Sequence, residues 1–307
     1  MPTDRDDDRD DRPPPGRRSD DSDRPPPSGN GMAAAALILG LMSLFFGPLA
    51  GVLAVILGLV AVRKPTGKGM AVAGLITGGL FTGAWVCGSF FAVGLVRESA
   101  ARRQTSNNFK QLALAAHNYE SAYGVMPAAF VRRPNESPWQ PVNTPDLSDR
   151  LGWRVNLLPY LEYENVYRQF DTGKPWDAPQ NRPLADVVVL PYADTDARTD
   201  PSTRVRCFLD NGAMFDSRGT VRMVDVTDGT SNTILYVEGG DKVTWTRFQE
   251  YKFDPNGQLP ALGKPDKPTF WVAMGDGSVR SVRKSVNPAT LKAAITRNGG
   301  EVTPPLD

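Results

Sequence analysis

Apolar positions are distributed unevenly along the chain, and two long runs of them lie near its start. Residues 32–62 contain no charged side chain, and residues 71–96 form a second apolar run. A helix needs about 20 such residues to cross a bilayer, so each run is long enough to span, the first even with a break at Gly47-Pro48. We therefore predict a two-helix transmembrane hairpin over residues 32–96.

A helical pattern continues beyond the second apolar run. No proline occurs between Pro65 and Pro127, so nothing interrupts a helix there until Gly124, a favourable stop residue. The second span should therefore extend into a long amphipathic helix. Apolar side chains at spacings of three and four predict its buried stripe: Phe109, Leu112, Ala116, Tyr119 and Tyr123.

The last third of the chain changes to short apolar runs bounded by turn residues, a pattern typical of strands. Four such segments are predicted as strands: 221–226, 233–239, 269–275 and 278–283. The last two are joined at Asp276-Gly277, a pair that favours a type I′ hairpin because both positions need positive φ.

Three shorter elements complete the predicted fold. Segment 184–192 reads as a short buried strand, and segment 153–170 as two helical pieces divided at Pro159. Asn287-Pro288 predicts a closing helix, with an N-cap followed by proline at the first helical position. The predicted class is α+β: two transmembrane helices, the second continuing into a long amphipathic helix packed on an antiparallel β-sheet.

Composition separates a third region, at the start of the chain, from the apolar segments and the soluble part that follows them. Residues 1–31 hold nine Asp and six Arg with Pro, Ser and Gly, and lack the apolar surface that would offset the entropy of ordering. We predict a disordered tail at 1–31, the transmembrane hairpin at 32–96 and a soluble domain at 97–307. The net charge of +1 offers no electrostatic footprint for nucleic acid.

Basic residues beside the apolar runs predict the orientation. Arg63, Lys64 and Lys68 lie in the short loop between the runs, which the positive-inside rule places in the cytoplasm. The C-terminal domain of a multi-pass protein in the inner (cytoplasmic) membrane is then extracytoplasmic. Three arginines just beyond the second run argue for the opposite orientation: Arg97, Arg102 and Arg103.

Small residues recur at every fourth position in the apolar runs, as in Gly74 and Gly78 or Gly79 and Gly83. Such residues permit close helix approach in lipid. Two interpretations stay open, a tight hairpin within one chain and a homo-oligomer. The expected partners are the lipid bilayer and other envelope proteins or copies of this chain.

Acidic turn segments are the candidates for metal binding. Asp225 and Asp228 precede a Gly-Thr-Ser-Asn stretch, and Asp276 opens a second Asp-Gly turn. Carboxylates and carbonyls suit Ca²⁺, but the same residues shape tight turns through local hydrogen bonds. The spacing does not match an EF-hand, so turn chemistry is the favoured interpretation and no cofactor is expected.

Residues for catalysis are scarce. His117 is the one histidine in the chain, which excludes a multi-histidine zinc site and leaves a single candidate base. It lies beside the apolar stripe of the long helix, where a packed imidazole is expected. Cys87 and Cys207 are far apart in the sequence and predict no disulfide framework. We therefore expect no enzyme activity.

Two resemblances to known families follow from ordered motifs. The segment SNNFKQLALAAHNYESAYGVMP resembles the signature of a bacterial pilin-like family, domain of unknown function 1559. The resemblance continues in order through NLLPYLEYENVYRQFD, DVTDGTSNTILYVE and GDGSVRSV to LKAAITRNGGE, over about 97–302. The anchor, with ILGLMSLFFGPLAGVLAVILGLVA and GKGMAVAGLITG, resembles the two-helix membrane module of domain of unknown function 4190.

The first resemblance implies a fold and leaves the activity open. It implies a pilin-like domain, in which a long N-terminal helix, half in the membrane, packs against an antiparallel sheet. It assigns no catalytic residues, and the family is also labelled solute-binding family 10. The prepilin motif with which many relatives begin is absent here, and the hairpin anchor stands in its place.

These observations favour a structural or interaction protein of the cell envelope, whose biochemical role is uncharacterised. The alternative is an extracytoplasmic module that binds a small solute or Ca²⁺. A concave pocket lined by aromatic side chains and converging polar groups would favour that alternative.

Overall fold

The computed structural model describes six ranges of the chain, which fall into two compact units, Met1–Leu95 and Val96–Asp307. The described ranges are 31–46, 48–63, 68–136, 147–195, 199–301 and residue 306. The predicted disordered tail, apart from Gly31, lies outside them.

The first unit contains three apolar helices where two spans were expected. Helix α1 covers Gly31–Phe46, α2 covers Pro48–Val62 and α3 begins at Lys68. The first predicted span is therefore covered by two helices, the second of which begins at Pro48, because proline is tolerated at the start of a helix and not in its interior. Each half, at 16 and 15 residues, is shorter than a typical bilayer span.

Helix α3, Lys68–Tyr123, is 56 residues long. Among the described residues it is the one helix long and apolar enough to cross a membrane by length and composition, and no residue of its apolar window is buried. A helix that can span a membrane is thus present, and a second complete span stays a prediction.

Glycines permit the close packing of helices in the first unit. A Cβ at Gly74 would lie 2.8 Å from the carbonyl carbon of Ala36 in α1, and one at Gly78 would lie 3.0 Å from Cβ of Ala54 in α2. Gly79 and Gly83 have no such neighbour within 4 Å among the described residues. Gly74 and Gly78 thus serve packing within the chain, as one of the two interpretations predicts, and a homo-oligomer stays a prediction.

The C-terminal part of α3 belongs to the second unit and carries the predicted apolar stripe into its core. Phe109, Leu112 and Ala116 are buried in one cluster with strand residues, and Tyr119 packs against that cluster. Tyr123 is 56% exposed, so the stripe ends before it. The helix stops at Gly124, whose φ of +72° suits glycine.

A four-stranded antiparallel sheet forms the centre of this unit, in the order β1-β3-β5-β6. The four strands are β1 Ser202–Arg206, β3 Ile234–Thr244, β5 Thr269–Met274 and β6 Val279–Arg283. A parallel pair, β2 Phe208–Leu209 with β4 Tyr251–Lys252, lies beside it.

Both faces of the sheet are covered. Tyr236 and Ala273 belong to the core cluster that contains the α3 stripe. Val237 and Val272, on the opposite face, are buried with residues of the closing helix α6, Pro288–Ile295. A long helix packed on an antiparallel sheet confirms the α+β prediction, and α6 adds a layer on the other face.

Two predicted strands are wrong. Segment 221–226 contains a 3₁₀ turn, Met223–Asp225, and segment 184–192 begins with the 3₁₀ turn Arg182–Asp186. Neither segment belongs to a sheet in the described ranges. Turn bonds and single bonds to other segments, such as that of the Met126 N–H to the Val221 carbonyl, engage its backbone instead. A strand that the sequence analysis missed, β1, occupies one edge of the sheet.

The predicted hairpin between β5 and β6 is confirmed, but its turn differs. The Met274 N–H bonds to the Ser278 carbonyl at 2.8 Å, and the Gly277 N–H bonds to the Met274 carbonyl at 3.0 Å. Gly277 alone of the turn residues has positive φ, +85°. The connection is therefore a three-residue loop ending in a left-handed glycine, and type I′ is wrong.

The predicted short helices are also present. Helix α4 is Trp153–Leu157 and α5 is Glu164–Tyr167, but the division falls at Glu162, whose φ is +69°, and not at Pro159. The predicted N-cap of α6 is confirmed because the Asn287 side chain accepts a hydrogen bond from the Ala289 N–H at 2.9 Å.

Candidate functional site

A cleft of about 240 Å³ opens in the second unit between the start of its helical segment and the sheet. One wall comes from α3 and the other from β3, β5, the loop before β5 and Thr195. Its lining residues are Arg97, Glu98, Ala101, Arg102, Thr105, Thr195, Glu238, Lys264, Lys267, Thr269 and Trp271. A smaller cavity of about 20 Å³ adjoins it and shares Thr105 and Glu238.

Glu238 supplies a buried carboxylate to this cleft. It lies on β3 two residues after Tyr236, and alternation along a strand turns both side chains to the α3 face. The residue is 6% exposed, and its Oε2 accepts a hydrogen bond from the Trp271 N–H at 3.1 Å. Burial raises the pKa of Glu238 above its ordinary value, against the opposing effects of that bond and of Lys264.

A turn between β4 and β5 brings Lys264 to the same place. The Gly263 N–H bonds to the Glu238 carbonyl oxygen at 2.8 Å, and Gly263 has a φ of +68°, which favours glycine. Lys264 forms an ion pair with Asp194, whose side chain is 5% exposed. Asp194 also pairs with Arg204, at 3.2 Å from Nε to Oδ2. The interior of the cleft therefore holds a charge network of both signs.

The rim of the cleft is cationic. Glu98 Oε1 lies 3.2 Å from Arg102 Nη2 and 3.2 Å from Lys267 Nζ. Its hydrogen bond with Lys267, followed by that with Arg102, lowers the pKa of Glu98. With Arg97 also on the rim, three cations surround one carboxylate, so the rim can attract an anionic group.

A second group of buried charges lies away from the cleft and has a structural role. Arg154 Nη1 lies 2.8 Å from Glu250 Oε1, and both side chains are fully buried. Glu250 Oε2 also accepts the Cys207 N–H at 2.8 Å. Arg154 donates to the Val205 carbonyl, at 3.1 Å from Nε. These contacts join α4, β1 and the segment before β4.

The Cys207 thiol lies beside this group and is fully buried. Burial, together with the nearby Glu250 carboxylate, raises the pKa of Cys207 well above its ordinary value. A thiol in this state is a poor nucleophile, because the reactive species is the thiolate.

The three aspartates considered for Ca²⁺ are engaged with groups of the protein itself, Asp225 and Asp276 within their own turns and Asp228 with a distant segment of the chain. The Asp228 carboxylate accepts the Gly299 and Gly300 N–H groups at 2.6 and 3.0 Å. Asp276 accepts the Ser278 N–H at 2.8 Å, and Asp225 pairs with Arg222 at 2.9 Å. In the part of the chain that the structure describes, no group of three or more His, Cys, Asp or Glu side chains is placed to hold a metal ion.

His117 lies on α3 next to the β5–β6 turn. A Cβ at Gly277 would lie 3.7 Å from His117 Nε2. This nitrogen is buried and, within the described ranges, has no hydrogen-bond partner. The imidazole packs against the turn, away from the residues that line the cleft.

Sequence reasoning missed the residues that form the cleft. Glu238 gave the clearest signal. It is a carboxylate at an inward position of the predicted strand 233–239, and glutamate is rarely buried unless it has a partner. Trp271 stands within the predicted strand 269–275, and nothing in the pattern of that strand marks it as part of a cleft. Lys264 and Asp194 stand in segments without periodicity, and only the tertiary fold brings them to the same place.

The fold and the cleft define an α+β protein built on a helix that is long and apolar enough to cross a membrane. Residues 95–204 match the family model described as protein of unknown function (DUF1559), with the short name SBP_bac_10. The predicted resemblance is confirmed over that segment; its extension to 302 and the resemblance of the anchor to domain of unknown function 4190 stay predictions. No curated protein and no solved structure matches the chain at a significant level.

Proposed function

We propose that this protein is a membrane-anchored structural or interaction protein of the cell envelope that presents a pilin-like domain. One observation carries the proposal, the continuity of α3 from Lys68 to Tyr123. Its first part is apolar with outward-facing side chains, such as Phe90 and Phe91 at 76% and 73% exposure. Exposure of this apolar surface to water would cost free energy, whereas its exposure to lipid would not.

The distal part of the same helix supports the pilin-like assignment. Phe109, Leu112 and Ala116 are buried against the sheet, so the helix is a structural component of the domain as well as its membrane anchor. The display of a domain on such a helix requires no catalytic group. Interaction with other envelope components is then the function that the arrangement serves.

Membrane extraction of the full chain tests the anchor. We expect the protein to stay in the membrane pellet at alkaline pH and to enter solution only with detergent. Val86→Arg with Phe90→Arg should weaken retention, because an arginine at mid-membrane costs about 2.5–3.5 kcal/mol. Leu114→Arg is the control, since this residue is 60% exposed on the distal part of the same helix. Release of the wild type by alkali alone would refute the anchor.

Reporter fusions test the orientation. A reporter that is active only outside the cytoplasm, fused to Asp307, should give signal, and a cytoplasmic reporter at the same position should be silent. The reverse pattern would place the domain in the cytoplasm and overturn the envelope role.

A second candidate function, the binding of a small solute, is favoured by the cleft at Glu238. The cleft is concave, has an aromatic wall at Trp271 and brings polar groups of both signs together. Such a combination is typical of ligand sites.

A further inference from the structure

The cleft begins at the point where the apolar stretch of α3 ends. Val96 is the last apolar residue of that stretch, and Arg97 is the first residue of the cleft wall. From Arg97 to Thr105 this wall extends about 12 Å along the helix axis. If α3 crosses the membrane, as we propose above, the cleft lies at the depth of the lipid headgroups or just outside it.

The rim of the cleft has a surplus of positive charge. Glu98 is shared between Arg102 and Lys267, each at 3.2 Å, and Arg97 adds a third cation. Arg102 and Lys267 keep 62% and 38% of their side chains exposed, so an incoming group can reach them. Arginine and lysine in this arrangement are typical phosphate ligands.

The interior holds charges of both signs, since Lys264 pairs with Asp194 beside the buried carboxylate of Glu238. Within the described residues, the Trp271 N–H is the one hydrogen-bond donor to the Glu238 carboxylate, which offers about four acceptor positions. A buried carboxylate with unused acceptor positions is costly unless a cation or a donor reaches it. The half-buried Trp271 on the same wall can pack its ring against such a cation.

We propose that the cleft binds the headgroup of a zwitterionic phospholipid, with the phosphate at Arg97, Arg102 and Lys267 and the ammonium at Glu238 beside Trp271. The proposal rests on the membrane anchor proposed above. It selects for a headgroup with both charges, because a purely anionic headgroup would bring no hydrogen-bond donor to the unused acceptor positions of Glu238.

Lipid binding to the full chain, measured by native mass spectrometry after detergent solubilisation, tests the proposal. The protein is offered phosphatidylethanolamine and phosphatidylglycerol with the same acyl chains at equal concentration. We expect preferential retention of phosphatidylethanolamine. Glu238→Gln should reduce that preference about tenfold, the effect of one charge-assisted hydrogen bond. Glu120→Gln, on α3 and outside the cleft, should leave that preference unchanged.

A second substitution tests the phosphate end. Lys267→Met should reduce the retention of both lipids, whereas Lys252→Met, an exposed lysine on β4, should reduce neither. Equal retention of the two lipids by the wild type, or an unchanged preference in Glu238→Gln, would refute the proposal. Competition by soluble phosphoethanolamine without any preference between the lipids would assign the cleft to a free solute and overturn the lipid assignment.

Failure of the headgroup proposal can be distinguished from failure of the proposed membrane anchor. Alkaline extraction reports whether the chain is embedded, independently of which headgroup it retains. A protein that resists extraction but retains both lipids equally would keep the proposed anchor and lose the headgroup site.

Discussion

Two buried glutamates of the second unit are stabilised in different ways. Glu250 lies 2.8 Å from the Arg154 guanidinium and accepts a backbone N–H, so its charge is compensated. Glu238 accepts a single backbone N–H from Trp271 within the described residues. A buried charge stabilises a fold when its partners are in place and destabilises it when they are not. The first residue therefore serves the fold, and the second has the character of a binding group.

Removal of the Glu250 charge is expected to be strongly destabilising. Glu250→Gln leaves the fully buried Arg154 without its counter-charge, which costs about 3–5 kcal/mol. The measurement is the thermal unfolding of the detergent-solubilised full chain. Glu164→Gln is the matched control, because Glu164 and Arg168 form an exposed pair whose loss costs about 0–1 kcal/mol. Similar melting temperatures for the two variants would contradict the assignment.

The substitution Glu238→Gln is expected to act in the opposite direction. The folded-state pKa of Glu238 is raised by burial, so its contribution to stability falls as the pH rises from the ordinary glutamate pKa through the folded value. A neutral glutamine keeps an acceptor for the Trp271 N–H and does not ionise, so the stability of the variant does not fall in this way as the pH rises. The variant should therefore melt at a higher temperature than the wild type at pH 7, with a smaller difference at pH 4.

A control for this prediction lies on the rim of the same cleft. The pKa of Glu98 is lowered by hydrogen bonds with Lys267 and Arg102, so its contribution is present at neutral pH and is lost as the pH falls. Glu98→Gln should change stability in the opposite sense, by a small amount because the pair is exposed. A lower melting temperature for Glu238→Gln at pH 7 would mean that its charge is compensated.

At the scale of elements, glycines determine how closely the apolar helices approach. A methyl group at Gly74 would meet the Ala36 backbone at 2.8 Å, whereas one at Gly88 has no neighbour within 4 Å in the described ranges. Since both residues lie inside α3, alanine improves the helix propensity equally at the two positions. Any difference between the two variants thus reports the packing.

Gly74→Ala is therefore expected to destabilise the first unit by about 1–3 kcal/mol through overpacking. Gly88→Ala should be neutral or slightly stabilising. Protease resistance of the detergent-solubilised chain, followed at sites in residues 31–63, measures the effect. Equal resistance of the two variants would show that α1 can move away from Gly74 at no cost.

The elements that could be predicted from the sequence are those with a strong local signal. The distal part of α3 has an uninterrupted apolar stripe, and β5 and β6 are linked by glycine-containing turn residues. Segment 184–192 has the composition of a strand, but no strand in the described ranges pairs with it along its length, and so it folds as turns. Pairing partners are a tertiary property that no local pattern encodes.

The candidate site was less predictable than the fold for the same reason. The cleft joins α3, a loop near Asp194, strand β3 and the segment after Gly263, which are far apart in the sequence. The aspartates of the turns at 225–228 and 276 were conspicuous because turn residues cluster locally. The carboxylates of Asp225 and Asp276 bond within their own turns, and that of Asp228 bonds to Gly299 and Gly300. The less conspicuous Glu238 lines the cavity.

At the scale of the whole molecule, the two units have separate hydrophobic cores. The core residues of the second unit all lie beyond Val96, from Phe109 onward. We therefore expect a fragment of residues 96–307 to fold on its own and to melt cooperatively, as judged by circular dichroism. A fragment that begins at residue 114 lacks the buried Phe109, Leu112 and Ala113 and should lose that transition. An unfolded 96–307 fragment would show that the domain depends on the first unit.

Because the Cys207 thiol is buried, its reactivity measures how often the second unit opens. The protonated, enclosed sulfur can react with an alkylating reagent only after the surrounding core separates. The rate at which the native chain incorporates label at Cys207 therefore counts rare unfolding events, without any denaturant or introduced probe. The same labelling rate, measured with and without a bound lipid, would show how much that lipid slows the opening of the domain.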